Sequence, residues 1–385
     1  MWPQRRLIEL LRIEHPLILA PMAGLGTVEL AASVCAGGGL GSIGCALQHP
    51  EAAAKAIHDL KAVTDRPINA NFFCHRPPRD DTRLEQAWYR RLSPYYREMG
   101  VEQKVQPASD IAPFGDALCA VIEDTRPQVV SFHFGLPDAV YLDRIKAAGC
   151  RIMSSATTVE EALWLEARGV DVVIAQGSEA GGHRATFLGA DPTRASARQP
   201  STMALVPQVV DAVKVPVVAA GGIADGRGIA GVFALGAAGA QIGTAYLLCP
   251  EAATTQMHRE ALRHSRADTT LLTNVFTGRP ARVVSNRLAA EVGPIIDELP
   301  DFPLAARAVA PLRAAAERQG AVDFTPLWSG QAAPLGRAMP ARTLTVTLAQ
   351  EALDRFSELA RPLLFDMKLH VALPGHIPVH MRWRR

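Results

Sequence analysis

The chain has 385 residues, of which 48% are hydrophobic and 20% are charged, and its formal net charge is +2. This balance is typical of a folded chain with one large domain or two ordinary ones, and it excludes an intrinsically disordered protein. The small net charge also excludes a strongly basic surface for nucleic acid. We expect no membrane span, because no apolar run is long enough, and no signal peptide, because Arg5, Arg6 and Glu9 interrupt the amino-terminal segment.

Short apolar runs alternate with helical patterns through the first 250 residues. The predicted strands cover residues 17–20, 40–43, 67–73, 128–134, 151–154, 172–175, 216–220 and 240–243. The predicted helices cover residues 27–35, 50–63, 113–124, 137–148, 158–168 and 225–235, with a further helix that ends at 213. Eight near-continuous apolar strands separated by helices favour a closed α/β fold, the (β/α)8 or TIM barrel. A doubly wound open sheet is the alternative, but no G-x-G-x-x-G follows the first strand.

The barrel pattern is interrupted once and then ends. Residues 74–110 mix proline, tyrosine and tryptophan with charged residues, which predicts a long excursion of the kind that covers a site. After Pro250 no further strand is predicted, and residues 251–365 are expected to form the last barrel helix and a helical cap. Residues 366–385 show no clear period and stay unassigned. The predicted organisation is therefore a barrel over residues 1–250 with a smaller, mostly helical appended region.

The segment from Asp171 to Arg184, D-V-V-I-A-Q-G-S-E-A-G-G-H-R, concentrates the chemistry of the chain. A buried strand opens into glycines, where backbone can approach a ligand closely, and the segment ends on His183. Histidine is the side chain best suited to proton transfer near neutral pH. A plain strand-to-helix turn with a solvated histidine is the alternative, but glycines clustered with titratable groups at a strand end favour an active site.

Two further loops follow the seventh and eighth predicted strands. Gly221 and Gly222 follow the seventh, and Gly243 and Thr244 follow the eighth. Barrels commonly bind phosphate at these two positions through backbone N–H groups, so the pair of loops predicts a phosphate site, although either alone could be a simple turn. His133 and His183 have no carboxylate or cysteine at ligand spacing, and we expect no metal site. A phosphate site without a metal or a nucleophile indicates an organic cofactor.

Six motifs together resemble the nitronate monooxygenase family, formerly called 2-nitropropane dioxygenase. They are P-M-A-G at 21–24, S-F-H-F-G-L-P at 131–137, A-Q-G-S-E-A-G-G-H-R at 175–184, G-G-I-A-D-G-R at 221–227, Q-I-G-T at 241–244 and W-S-G-Q at 328–331. The resemblance runs from about residue 15 to residue 345. It implies a TIM barrel that uses FMN and O2 to oxidise alkyl nitronates, such as propionate 3-nitronate, through a flavin semiquinone. Such an enzyme serves nitroalkane detoxification.

The resemblance also implies roles for individual residues. His183 would be the catalytic base or would position the substrate, and His133 would line the pocket and contact the substrate. The expected FMN-binding residues are Met22, Asn71, Gln176, Gly181, Gly222, Gln241, Ile242, Gly243 and Thr244.

Two alternatives stay open from the sequence. One is an FMN- and NADH-dependent enoyl-acyl-carrier-protein reductase, which shares this fold and a similar E-A-G-G-H loop. The other is a flavin-binding barrel without turnover. In the favoured interpretation the partners are a small nitronate and O2, and a homo-oligomer is left open. The six cysteines form no C-x-x-C pair, which indicates free thiols in a reducing compartment and predicts a cytoplasmic location.

Overall fold

A computed structural model describes residues 1–46, 48–104, 112–189, 193 and 198–371 of the chain, with the backbone alone for 361–371. In chain order the strands are β1 (Leu17–Leu19), β2 (Gly41–Gly44), β3 (Ile68–Phe73), β4 (Val129–His133), β5 (Arg151–Ala156), β6 (Val172–Gln176), β7 (Gly182–His183), β8 (Val217–Ala220), β9 (Gly239–Ile242), β10 (Thr270–Thr273) and β11 (Ala281–Val284).

Eight of these strands form one parallel sheet, in the order β1-β9-β8-β6-β5-β4-β3-β2. A parallel bridge between Ile18 and Leu40 joins the first strand to the second. At this seam the Leu19 N–H donates to the Leu40 carbonyl and the Leu40 N–H donates to the Leu17 carbonyl, each at 2.9 Å. The sheet therefore closes on itself, and the prediction of a TIM barrel is confirmed.

The main α-helices surround the barrel, plug one end of it or lie in the appended region, and several begin at a side chain that caps the first turn. They are α1 (Arg6–Leu11), α2 (Val28–Ala36), α3 (Pro50–Val63), α4 (Thr82–Glu98), α5 (Asp116–Thr125), α6 (Ala139–Ala147), α7 (Val159–Glu166), α8 (Thr202–Ala212), α9 (Gly226–Ala234), α10 (Gln256–His264), α11 (Arg287–Glu291), α12 (Ala306–Arg318) and α13 (Ala341–Val371). The Thr27 hydroxyl accepts from the Leu30 N–H, and the Asp225 carboxylate accepts from two N–H groups of the first turn of α9. These bonds satisfy amide donors that a helix start leaves free.

The inside of the barrel is filled at one end only. Leu7 and Leu11 of α1 pack there against inward-facing strand residues that include Ile18, Met153 and Val218, all of them buried. A second, larger apolar layer lies between the strands and the surrounding helices. The amino-terminal mouth is thus plugged, and the carboxyl ends of the strands remain available for a site.

A second, antiparallel sheet lies outside the barrel in the order β10-β11-β7. The expectation that no strand follows Pro250 is therefore wrong. β10 and β11 form an antiparallel hairpin, and β11 also pairs with Gly182 and His183. This sheet could not be predicted from the sequence because β10 and β11 have four residues each and β7 has only two. Strands this short are defined by their tertiary pairing and not by a periodic pattern.

The excursion after β3 belongs to the appended region and not to the barrel. Its helix, α4, buries Trp88, Leu92 and Tyr96 against residues that lie between 275 and 324. The Trp88 indole N–H donates to the Ala305 carbonyl at 3.0 Å, and the Tyr96 hydroxyl donates to the Ala308 carbonyl at 2.7 Å. We call α4 together with residues 265–328 the cap. The end of the predicted excursion, at 105–110, lies outside the described residues.

The carboxyl-terminal helix α13 extends into the segment that the sequence left unassigned. Residues 366–371 continue this helix, and residues 372–385 lie outside the described part of the chain. Among the described helices, none is both long and apolar enough to cross a membrane. The division of the chain near residue 250 into barrel and appended region stays a prediction.

Candidate active site

A cavity of about 300 Å³ opens at the carboxyl ends of the barrel strands and is roofed by the cap. This volume lies in the range of small-molecule sites. Barrel loops supply most of its wall, and the cap supplies Thr277, Phe302 and Trp328. Ten of the eleven residues predicted from the sequence line it, namely Met22, Asn71, His133, Gln176, Gly181, His183, Gly222, Gln241, Gly243 and Thr244. The eleventh, Ile242, is buried in the apolar layer outside the barrel.

The glycine loops leave backbone N–H groups open toward this cavity. Gly221 and Gly222 have φ of +115° and +71°, a region that other residues rarely adopt. The N–H groups of Gly222 and Gly243 donate to no other group in the described part of the chain. At Gly243 a Cβ atom would lie 3.2 Å from the Ala20 Cβ, so the backbone is closely enclosed. Free amide donors in a glycine cradle fit an anionic group such as a phosphate.

Of two polar side chains beside the glycine loops, only one has a hydrogen-bond partner among the described residues. The Oε1 atom of Gln241 is buried and accepts no hydrogen bond from any described residue. Such an orphaned acceptor is costly unless a ligand supplies a donor. The Thr244 hydroxyl oxygen instead accepts from the Gly330 N–H at 2.9 Å, which holds the W-S-G-Q loop against the barrel. The site therefore offers an unfilled acceptor next to free amide donors, as a polar organic cofactor requires.

His183 lies at the boundary between the barrel and the cap. The sequence placed it in a loop, but it forms β7, and the neighbouring Arg184 N–H donates to the Pro280 carbonyl at 2.9 Å. Its Nε2 atom lies 2.9 Å from the Thr277 hydroxyl oxygen. That hydroxyl also lies 3.4 Å from the Arg279 carbonyl, and when it donates to this carbonyl it accepts from the Nε2–H of His183. The Nδ1 atom then carries the lone pair.

His133 and Gln176 hold the backbone of His183. The Nε2–H of His133 and the Nε2–H of Gln176 both donate to the His183 carbonyl, each at 3.1 Å. Since Nε2 of His133 is a donor, its Nδ1 accepts from the Ser155 hydroxyl at 3.2 Å. Both ring nitrogens of His133 are therefore occupied within the protein. Its predicted contact with substrate stays a prediction, and its bonds give it a positioning role.

Both histidines are neutral over the usual pH range. The pKa of His183 is lowered to about 3, chiefly by burial. The electrostatic effects of His133, Arg279 and His75 lower it further. Burial also lowers the pKa of His133 to about 4, although its bond to the His183 carbonyl acts in the opposite direction. A neutral imidazole with a free lone pair is the form that can accept a proton.

The cap residues of the site were missed by the sequence reasoning. Phe302 and Trp328 place their rings 5.1 Å from the ring of His183, and the Thr277 hydroxyl forms a hydrogen bond with its Nε2 atom. Of these, only Trp328 lies in a motif named above, W-S-G-Q, which carried no predicted site residue. Thr277 lies in the turn of the β10–β11 hairpin and Phe302 lies in the loop before α12, where no pattern marks a site. Glu179 was missed too, and its carboxylate accepts from the Thr202 N–H at 2.9 Å.

This fold and this cavity define a barrel protein with a small-molecule site at the carboxyl ends of its strands. Residues 4–351 match the family described as nitronate monooxygenase, and the chain belongs to that family. A nitronate monooxygenase of Paraburkholderia phytofirmans is 41% identical over 92% of this chain and 97% of its own length. One of Pseudomonas aeruginosa is 42% identical over 90% and 98%.

A solved structure supports the same placement. The nitroalkane oxidase of Streptomyces ansochromogenes superposes with a TM-score of 0.84 at 36% identity, covering 92% of this chain and 99% of that one. In the described residues, no group of three or more histidine, cysteine, aspartate or glutamate side chains is placed to hold a metal ion.

Proposed function

We propose that the protein oxidises alkyl nitronates with O2 and depends on FMN. The observation that carries the proposal is the neutral His183, with its free Nδ1, at the mouth of a cavity that holds open amide donors. The family and the names of the relatives support the same class of substrate. The substrate in this proposal is a small anionic nitronate such as propionate 3-nitronate.

The residues present fit FMN as the cofactor. Gly222, Gly243 and Thr244 would hold the phosphate. They combine open N–H groups with the Thr244 hydroxyl, which lies at the start of the short 3-10 helix Thr244–Leu248. Gln241 would accept a hydrogen bond from the polar edge of the flavin ring, which would satisfy its orphaned oxygen. When bound, FMN supplies one-electron redox chemistry and reactivity toward O2.

His183 would act on the substrate in one of two ways. With a neutral nitroalkane, the Nδ1 lone pair accepts the proton from the carbon next to the nitro group. A nitronate has already lost that proton, so His183 then only orients it. The hydrogen bond to Thr277 and the two bonds to its backbone carbonyl fix the ring for either task.

The experiment that tests the proposal is an absorption spectrum of the purified protein, followed by oxygen consumption with propionate 3-nitronate. A flavin spectrum and rapid oxygen uptake are expected. A colourless protein that takes up no added FMN would refute the cofactor. A yellow protein that consumes no oxygen with any nitronate would support the non-catalytic alternative. Loss of flavin colour on anaerobic addition of NADH would favour the enoyl-acyl-carrier-protein reductase.

A further inference from the structure

A second cavity, of about 670 Å³, lies beside the first. We call it the antechamber, and its wall includes His75, Arg76, Phe134, Arg279, Asp297 and Phe302. Phe302 lines both cavities. Its ring centroid is 4.9 Å from that of His75 and 5.1 Å from that of His183. One aromatic side chain therefore stands between the antechamber and the candidate catalytic histidine.

His75 carries a buried ring nitrogen that has no hydrogen-bond partner among the described residues. The residue is only 6% exposed, and its Nδ1 atom is buried and forms no hydrogen bond with any described residue. Aromatic side chains surround its ring, namely Phe73, Phe134 and Phe302. A buried imidazole nitrogen left in this way lowers stability unless a ligand completes its bonding.

Arg279 also lines the antechamber, and its positive charge has no ion-pair partner among the described residues. Its guanidinium lies 3.8 Å from the ring centre of Phe134, its terminal nitrogen donates to the Thr186 carbonyl, and its Nε–H is buried without an acceptor. Within the described part of the chain, no carboxylate forms an ion pair with it. Burial lowers its pKa to about 10, so it remains charged at neutral pH.

Among the described residues, the neighbouring carboxylates do not neutralise Arg279. Glu161, the acid that attracts it at longer range, is buried and accepts hydrogen bonds from the N–H groups of Thr157, Phe187 and Leu188. Asp301 is engaged by Arg79 at 3.0 Å, and Asp297 is exposed at the rim. An unpaired buried guanidinium is strongly unfavourable, which indicates that its counter-ion comes from a ligand.

We propose that Arg279 and His75 form a subsite for the carboxylate of nitronates that carry one at the end of their carbon chain. The proposal rests on the proposed function and adds the residues that would select a carboxylate-bearing substrate. A guanidinium fork matches the two oxygens of a planar carboxylate, and the imidazole supplies a further polar contact. The nitronate end would lie at His183, and the chain would pass the ring of Phe302.

The test compares propionate 3-nitronate with propyl 1-nitronate, which lacks the carboxylate, in the holoprotein. Arg279→Gln is expected to lower kcat/KM for propionate 3-nitronate by roughly 10- to 100-fold, the usual range for a hydrogen bond to a charged group. The change for propyl 1-nitronate should be within about threefold. His75→Gln should show the same selectivity with a smaller loss, and Arg279→Lys should recover part of it.

Arg76→Gln is the matched control, because Arg76 lines the same cavity but is exposed to solvent. Its effect on either substrate should be small. Equal losses on the two nitronates in Arg279→Gln would overturn the subsite and give Arg279 a purely structural role. A larger effect of Arg76→Gln than of Arg279→Gln would also overturn it.

Butyrate binding, measured by saturation-transfer NMR, tests the subsite in the absence of turnover. Wild-type protein is expected to bind butyrate, and Arg279→Gln to weaken that binding at least tenfold. If no nitronate is oxidised but butyrate binding depends on Arg279, the proposed function fails and the anion subsite stands. If nitronates are oxidised but butyrate binding is absent or independent of Arg279, the subsite fails and the proposed function stands.

Discussion

The barrel and the cap contribute different chemistry to one cavity. The barrel side presents open amide groups and the orphaned oxygen of Gln241, whereas the cap side presents the aromatic rings of Phe302 and Trp328 and the hydroxyl of Thr277. His183 joins the two, because it follows a barrel strand in sequence and pairs with a cap strand in space. If the proposed function is correct, cofactor binding depends mainly on the barrel side and substrate binding mainly on the cap side. Substitutions on the two sides should therefore have separable effects.

The largest effect is expected on the barrel side. Gly222→Asp and Gly243→Asp should each abolish FMN binding, because a carboxylate adds bulk and like charge where the phosphate needs bare N–H groups. Flavin content of the purified variants is the measurement. Gly231→Asp is the control, since Gly231 lies exposed on α9 and an added Cβ meets nothing within 4 Å. Full flavin occupancy in both cradle variants would contradict the placement of the phosphate.

His183→Asn tests the residue at the boundary. If His183 removes the α-proton of a neutral nitroalkane, kcat/KM for that substrate should fall by roughly two to four orders of magnitude. The loss with the pre-ionised nitronate should be smaller, since only positioning remains. FMN content should stay at the wild-type level. Equal losses on both substrates would show that His183 positions the nitro group and is not the base.

A pair of core substitutions compares the two regions by stability. Trp88→Ala in the cap and Phe72→Ala in the barrel should each destabilise the protein by about 3–5 kcal/mol, because both side chains are fully buried. Urea unfolding measures the loss. Trp88→Ala should retain FMN under native conditions, whereas Phe72→Ala should lose it, because β3 also carries Asn71. Loss of FMN in both variants would mean that the two regions are not separable.

The last prediction concerns acid. His75, His133 and His183 have pKa values of about 4, 4 and 3 in the folded chain, against an ordinary value of 6.5. The unfolded chain therefore binds more protons as the pH falls from about 6.5 to 4, and folding stability should decrease through this window. Urea midpoints at pH 7, 5.5 and 4.5 measure the decrease. His75→Phe should make it shallower, and an unchanged slope would argue against buried, neutral His75.

The barrel could be predicted from the sequence because its strands are apolar on both faces and are bounded by glycines and prolines. The same reasoning found most of the site, since parallel strands deliver their carboxyl ends to one mouth. The cap could not be predicted in this way. Its helix α4 and its hairpin lie far apart in the chain, so nothing local shows that Trp88 and Phe276 share a core. The unpaired state of Arg279 likewise depends on where distant carboxylates fold.

The separation of α4 from the rest of its core has a consequence for synthesis. Trp88 and its hydrogen-bond partner Ala305 are 217 residues apart. At translation rates of about 5–20 residues per second, α4 leaves the ribosome on the order of tens of seconds before that partner exists. During this interval Trp88, Tyr89 and Tyr96 have no surface to cover them, while the barrel strands on either side are being assembled. The aromatic face of α4 therefore stays uncovered until residues 275–324, which form the rest of its core, have been synthesised.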